Sequence, residues 1–283
     1  MDKTDILIFN VEMGQSIFIY PHSHPDYGML IDCGNTQEFE PVDFLIKQKY
    51  ITNNFLKNLT LTNYDQDHFS GLPYLKNKVI ISSVDFPKNL TSPEIKNLKE
   101  KPYTDALEHI CQIRDTYIYP ATDWKPPYIK QTFILQKEHL ENPDTNNLSQ
   151  VVFVEHNGSV ICIPGDLEEK GWKTIIEKQP DIKNWLAKTN IFIASHHGRD
   201  NGYYIDVFKH CKPECIVISD KSMMHDTQED MSSIYSSHVC GDGIVFNGDL
   251  VNKRKVLTTR SDGHLYIQLS PIGSRIYQSF KHE

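Results

Sequence analysis

Little in this chain of 283 residues points to a membrane, an export route or a framework of cross-links. No window reaches the roughly 18 consecutive apolar residues of a membrane span, so no membrane partner is expected. The opening residues Met1-Asp2-Lys3-Thr4-Asp5 lack the charged-then-apolar plan of a signal peptide, and a soluble cytoplasmic protein is the expectation. The six cysteines (Cys33, Cys111, Cys162, Cys211, Cys215, Cys240) are scattered. Cys33, Cys162 and Cys215 lie in or at the end of apolar runs, where buried reduced thiols are ordinary. Cys211 and Cys215 have no second pair to complete a structural zinc site.

Positive charge is also short. A formal net charge of −8 argues against a surface that clamps duplex nucleic acid through many phosphates. Two local basic tracks stand out, Lys76, Lys78, Lys88, Lys96, Lys99 and Lys101, then Lys253, Arg254, Lys255 and Arg260. Each reads first as a solvated face. Internal repeats and low-complexity tracts are absent.

The 39% hydrophobic content suffices for one large core or two modest ones. Short β-rich runs at 6–11, 16–20 and 28–32 are separated by Gly, Pro and Asp. A helix is expected over 41–50, a strand over 55–62 and a helix from about residue 68, with Leu72 and Leu75 inward. Residues 85–130 are rich in Lys, Pro and Tyr, with helical periodicity over 92–114, and form a possible insertion or lid. Runs at 150–154 and 159–163 flank Asn157-Gly158, a strong hairpin signal. A helix over 167–178, a strand over 190–194, a helix-like stretch at 203–210 and strands at 215–219, 255–258 and 264–269 complete the pattern. Strands and helices alternate in two similar halves, which predicts an α/β fold with sheets covered by helices in a single domain over 1–283.

The chemistry concentrates where strands end. Asn63, Asp65, Asp67 and His68 pack four potential ligands or water-orienting groups into six residues, just after the run 55–61. A rigid strand delivering several donors to one point is what a hydrolytic metal site needs. Read alone, the segment also fits a solvated polar loop. Three further donor sets share its placement: Asp166 after the strand at 160–163, Ser195-His196-His197-Gly198 after 191–194, and Asp32 after 29–31. The shared placement outweighs any single set.

In this order the motifs resemble the metallo-β-lactamase fold superfamily, which carries a His-x-His-x-Asp-His loop, then a Gly-Asp, then a His. They are more similar still to the soluble hydrolase domain of ComEC-type competence proteins. Glu12-Met13-Gly14-Gln15-Ser16 stands at that branch's Val-Gly-Gln-Gly-like turn, and Leu30-Ile31-Asp32-Cys33-Gly34 at its Leu-Ile-Asp-x-Gly strand end. Asp65 matches its second loop donor and Asn146-Asn147-Leu148-Ser149 its Asn-Asn-x-Ser segment. Gly165-Asp166, Ser195-His196-His197-Gly198 and Thr259-Arg260-Ser261-Asp262-Gly263 continue the series.

The resemblance implies an αβ/βα metallo-β-lactamase-like sandwich of two mixed sheets flanked by helices. It implies one or two divalent metal ions between them, Mn2+ or Zn2+, with Mg2+ as a further candidate. The implied ligands are Asp65, Asp67, His68, Asp166 and His197, with Asp166 shared. Register points to His197 over His196, and an alternative register swaps them. Asp67 and His196 are the implied catalytic residues, while Asn63, Asp32, Asn147 and His225 stand behind the ligands or face substrate. The sequence departs from the family pattern at Asn63, where a histidine is usual, and at 146–149, where a mid-chain histidine is usual. The implied activity is metal-dependent hydrolysis by an activated water, as a phosphodiesterase or nuclease. Single-stranded nucleic acid or a small phosphodiester would be the partner. Alternatives are a hydrolase of a small ester, lactone or signalling nucleotide, and a non-catalytic binding module.

Overall fold

In the computed structural model, which describes residues 2–119, 125–221, 227–273 and 275–281, alternate residues of each central strand face two different cores. Ile6, Ile8, Ile17 and Ile19 meet Val152, Val154, Ile161 and Ile163 in one buried cluster. The intervening Leu7, Phe18, Val151, Phe153 and Cys162 join a second cluster with helical side chains such as Leu45, Leu72, Trp172 and Leu186. Burial on both faces is why these strands read as near-continuous apolar runs.

The strands are β1 (Thr4–Ile8), β2 (Ile17–Pro21), β3 (Met29–Ile31), β4 (Phe55–Thr60), β5 (Ile80–Asp85), β6 (Ile129–Ile134), β7 (Gln150–His156), β8 (Ser159–Ile163), β9 (Ile191–Ile193), β10 (Cys215–Ile218), β11 (Ile244–Phe246), β12 (Asp249–Arg254), β13 (Val256–Thr258), β14 (His264–Leu269) and β15 (Arg275–Phe280). They form a sheet of order β12-β11-β15-β14-β1-β2-β3-β4-β5 and a sheet of order β13-β10-β9-β8-β7-β6. In the first, β1, β2 and β3 run antiparallel and β4 and β5 then follow parallel to β3. The second repeats the plan, with β6, β7 and β8 antiparallel and β9, β10 and β13 parallel to β8. Asn157 and Gly158 turn the β7–β8 hairpin with φ of 52° and 71°, the left-handed pair such a two-residue turn requires.

Parallel neighbours need crossovers, and helices supply them. They are α1 (Pro41–Lys47), α2 (Gln66–Phe69), α3 (Leu72–Lys78), α4 (Ser92–Asn97), α5 (Asp105–Thr116), α6 (Glu169–Lys178), α7 (Ile182–Lys188), α8 (Val207–His210), α9 (Thr227–His238) and α10 (Thr259–Asp262). Trp172 of α6 and Phe208 of α8 both lie beside Phe192 of β9, with ring centroids 6.2 and 5.3 Å away. The mixed α/β architecture of two sheets flanked by helices is the expected one.

Particular elements differ from the sequence reading. The helix begun at Pro41 stops at Lys47, and Lys49 turns left-handed at φ 62° as Tyr50 N folds back to donate to Leu45 O at 2.9 Å. The stretch at 203–210 is helical only over Val207–His210. Within 85–130, the helical periodicity expected over 92–114 corresponds to α4 and α5. Leu90, Ile95, Leu107 and Ile110 belong to the helix-side core, and α5 packs on α2, α3 and α4.

One buried cation ties the sheet edges together. Lys130 on β6 donates to Asp85 Oδ2 on β5 and to Thr60 Oγ1 on β4, both at 2.6 Å. Its side chain is buried while Asp85 is half exposed, and burial pulls the ammonium pKa down against the Asp85 carboxylate. Removing a partner from such a pair hurts most when it strands the buried charge. Asp85→Ala is therefore expected to cost about 3 kcal/mol in urea unfolding and Lys130→Met about 1 kcal/mol or less. The reverse order would contradict this role.

Candidate metal centre

Both sheets deliver side chains from the carboxyl ends of their parallel strands, where open α/β sheets commonly place ligands. Beyond β4 the chain runs extended to Asn63 and enters α2, which sets Asp67 and His68 in its first turn. Two neighbouring turns clamp this loop. Gln15 N donates to Asp67 O at 3.3 Å, and Cys33 N donates to His68 O at 2.9 Å. A β-carbon on Gly34 would lie 2.4 Å from Asp67 O, and one on Gly14 would lie 2.6 Å away. Close backbone approach, which only glycine permits, accounts for both residues.

Asp32 holds the loop from below. Fully buried and left-handed at φ 56°, its carboxylate accepts from Thr62 N at 2.7 Å, Thr62 Oγ1 at 2.6 Å and Gln15 Nε2 at 2.7 Å. His68 Nδ1 lies 2.8 Å from Asp32 Oδ2. The carboxylate can only accept there, so Nδ1 carries the proton and Nε2 is presented to Asp166 Oδ1 at 3.0 Å. The other sheet repeats the device. His197 Nδ1 donates to Ser219 O at 2.9 Å, which turns Nε2 toward Asp67 Oδ2 at 3.1 Å and Asp166 Oδ1 at 3.4 Å.

Both Nε2 atoms are buried and neither makes a well-aligned hydrogen bond. Ligand atoms of Asp67, His68, Asp166 and His197 all lie within 4.8 Å of one another. Two nitrogen lone pairs facing carboxylate oxygens in a buried site require a cation between them, either protons or a metal. Two imidazoles and two carboxylates fit one divalent metal ion. Burial alone would lower the His68 and His197 pKa values. For His68, Asp166 and Asp32 outweigh it and raise the value well above the ordinary one. For His197, Asp166 and Asp67 raise it to about 9. Burial would push Asp166 and Asp67 up, yet the two imidazoles hold Asp166 well below the usual carboxylate range and Asp67 below it.

The backbone is strained where it makes this site. His196 (φ 49°, ψ 49°) and His197 (φ 54°, ψ 28°) are both left-handed, and Gly198 follows at φ 74°. Each such non-glycine residue costs about 1–2 kcal/mol. His196 N donates to Gly165 O at 3.1 Å and Ser195 Oγ to Leu167 O, locking this turn onto the one that carries Asp166.

Other expected residues are placed differently. Asp65 stands outside the four-residue cluster, its carboxylate ion-paired with Lys99 and accepting from Thr145 Oγ1 at 2.7 Å. Asn63 is fully buried, bonded to Tyr64 N and, at 3.2 Å, to Asn146 Oδ1. Asn147 accepts from Gly171 N at 2.7 Å and donates to Asp144 at 2.9 Å, tying its turn to α6, while Asn146 lines the cleft. His196 also lines the cleft but faces Arg199 Nη1 at 3.1 Å through Nε2 and Glu168 Oε1 at 3.3 Å through Nδ1. A guanidinium only donates, so Nε2 accepts and the ring is neutral. Burial, helped by Arg199 and opposed by Asp166, lowers its pKa. His225 lies outside the described residues. Lys99, Thr145, Glu168, Arg199 and Lys221 were not singled out as site residues, although Arg199 adjoins Gly198, Thr145 adjoins Asn146 and Glu168 follows Asp166 by two residues.

The cluster opens into a cleft of about 1110 Å³, whose wall includes Gly14, Asp67, Lys99, His196, Arg199 and Lys221. Over 93% of its length the chain superposes on yeast PDE1, with a TM-score of 0.53, 12% identity and 99% of that chain covered. It superposes on the metallo-β-lactamase fold protein YhfI of Bacillus subtilis with a TM-score of 0.50 and 11% identity, covering 94% of this chain and 100% of that one. The chain has the metallo-β-lactamase fold. A variant of the CmlA β-hydroxylase, an enzyme of Streptomyces venezuelae, matches with a TM-score of 0.55 and 10% identity over 94% of this chain and 54% of its own. One metallo-β-lactamase-like scaffold thus serves different chemistries, and function must be argued from the site. In sequence the chain is 25% identical to ComE operon protein 3 of Bacillus subtilis (strain 168), in an alignment of 230 positions that covers 76% of this chain. That match supports the ComEC-like resemblance, and the chain spans 28% of that protein's length. No family model matches the chain.

The raised histidine pKa values set a pH dependence. A group whose folded pKa is raised stabilises fully below its unfolded value, about 6.5 for histidine, and the gain is lost as pH rises through the folded value. Melting of metal-free protein should therefore fall in temperature from about pH 6.5 through about pH 9, the value for His197. Saturating divalent ion supplies the positive charge instead and should remove the decline. A metal-free melting temperature that rises across this window would contradict the arrangement.

Proposed function

We propose that this protein is a metal-dependent hydrolase that cleaves phosphodiesters in single-stranded nucleic acid. The observation carrying the reading is the pair of buried Nε2 atoms of His68 and His197 aimed at the carboxylates of Asp67 and Asp166. A divalent ion bound there supplies a Lewis acid and lowers the pKa of a coordinated water toward 7. The chain's own groups do the rest. Asp32 and Ser219 O fix the two imidazoles, and Asp67, the most exposed of the four ligand candidates, is placed to orient the attacking water and accept its proton. Arg199 and Lys221 on the cleft wall provide charges for phosphoryl oxygens, and the neutral His196 positions the Arg199 guanidinium.

The cleft, at about 1110 Å³, lies at the upper end of pocket sizes and has room for a short extended strand. Several cations of the basic tracks are neutralised, which weakens the case for duplex clamping. Lys96 pairs with Glu108, Lys99 with Asp65, Arg254 with Asp262 and Arg260 with Asp220. Among the described residues no helix is long and apolar enough to cross a membrane. The six unpaired cysteines suit a reducing compartment, consistent with a cytoplasmic site of action.

Purified protein with Mn2+ is expected to cut labelled single-stranded oligonucleotides, and the Asp67→Ala/His68→Ala double variant to lose at least about 100-fold in rate. Arg199→Ala should raise KM about 10-fold with a smaller change in kcat, since a rim charge mainly binds. Equal cutting by the double variant would expose a contaminant and sink the proposal. Turnover of a simple phosphodiester but not of oligonucleotides would move the substrate to a small molecule.

A further inference from the structure

The cleft beside the four-residue cluster holds a second, different arrangement. Asp65 lies two residues before Asp67 and lines the same cleft, yet its carboxylate is ion-paired with the Lys99 ammonium. Lys99 comes from just beyond α4 and also donates to Thr145 Oγ1 at 3.3 Å, and Thr145 Oγ1 donates to Asp65 Oδ1 at 2.7 Å. The three groups form a closed set of donors and acceptor around one carboxylate.

No nitrogen lone pair is offered on this side. Asn63 has both polar atoms committed, Oδ1 accepting from Tyr64 N and Nδ2 donating to Asn146 Oδ1 at 3.2 Å. Asn146 Nδ2 donates in turn to Glu168 Oε1 at 3.2 Å. A second divalent ion would find Asp65 already neutralised, with Asp166 and Asp67 turned toward the two imidazoles, and would have to displace an ammonium that repels it. Like charges brought together in a partly buried cleft repel more strongly than in water. The donor set beside the cluster does not fit another metal.

We propose that the Lys99 ammonium takes the place of a second cation, so that the centre is mononuclear, with one divalent ion on Asp67, His68, Asp166 and His197. Lys99 is then a fixed ammonium on the cleft wall, partly exposed and paired with Asp65. The inference rests on the reading of the four-residue cluster as a metal centre.

The test is Mn2+ stoichiometry of the intact chain, by calorimetric titration after chelator stripping and by electron paramagnetic resonance. Wild type and Lys99→Arg should bind one ion per chain and show an uncoupled manganese signal. Asn63→His/Lys99→Met, which restores an imidazole and removes the ammonium, should bind two ions and show a spin-coupled pair. Lys99→Met alone should gain a second, weaker ion, and serves if the double variant does not fold by circular dichroism. Two ions in wild type would overturn the inference while leaving the metal-centre reading intact. A single ion in both folded Lys99→Met variants would also overturn it. No bound ion in wild type would remove the metal-centre reading and this inference with it.

Discussion

Two imidazole lone pairs held against two carboxylates, where the ends of two sheets meet, are the constraint on which the rest of this structure depends. His68 and His197 come from different sheets, and each is turned by a bond at its Nδ1 so that Nε2 faces Asp166. Without a cation between them these groups repel, and with one they bind the two halves together. The same contact therefore acts in stability and in chemistry. Protons can fill the role in the metal-free protein, which is why the His197 pKa climbs to about 9 although the ring is buried.

The surrounding fold keeps that contact in place. Asp32 gathers four donors from the β1–β2 turn, Thr62 and His68, so one carboxylate fixes the loop's backbone and its histidine together. Left-handed backbone at Asp32, His196 and His197 costs energy that a plain turn would not, and it persists because neighbouring turns lock it. Gly14 and Gly34 let those turns approach Asp67 O more closely than any side chain allows. The motifs around residues 12–16 and 30–34 are thus supports for the loop rather than reactive groups.

Much of this was legible in the sequence, for a physical reason. Asp32, Asp67, His68, Asp166 and His197 each follow an apolar run buried on both faces, and a polar residue at such a strand end is conspicuous. Lys99 is far from any such run, Thr145 precedes one rather than ending it, and only the folded chain turns them and Glu168 toward their partners in the cleft. Asp65 shows the limit most clearly. Its spacing is that of a ligand, but the partner that determines its state lies 34 residues away. The weakly patterned strands were harder still. The edge strands β12 and β5 are largely or partly exposed, as is β15 between β11 and β14, and their mixed polar sequences carry no alternation strong enough to announce them.

Anomalous diffraction from Mn2+-soaked crystals tests the central claim most directly. The account predicts one strong peak per chain, within bonding distance of His68 Nε2 and His197 Nε2 and of oxygens of Asp67 and Asp166, with Lys99 still on Asp65. Ordered manganese elsewhere on the chain, with those four side chains left as they are, would contradict it.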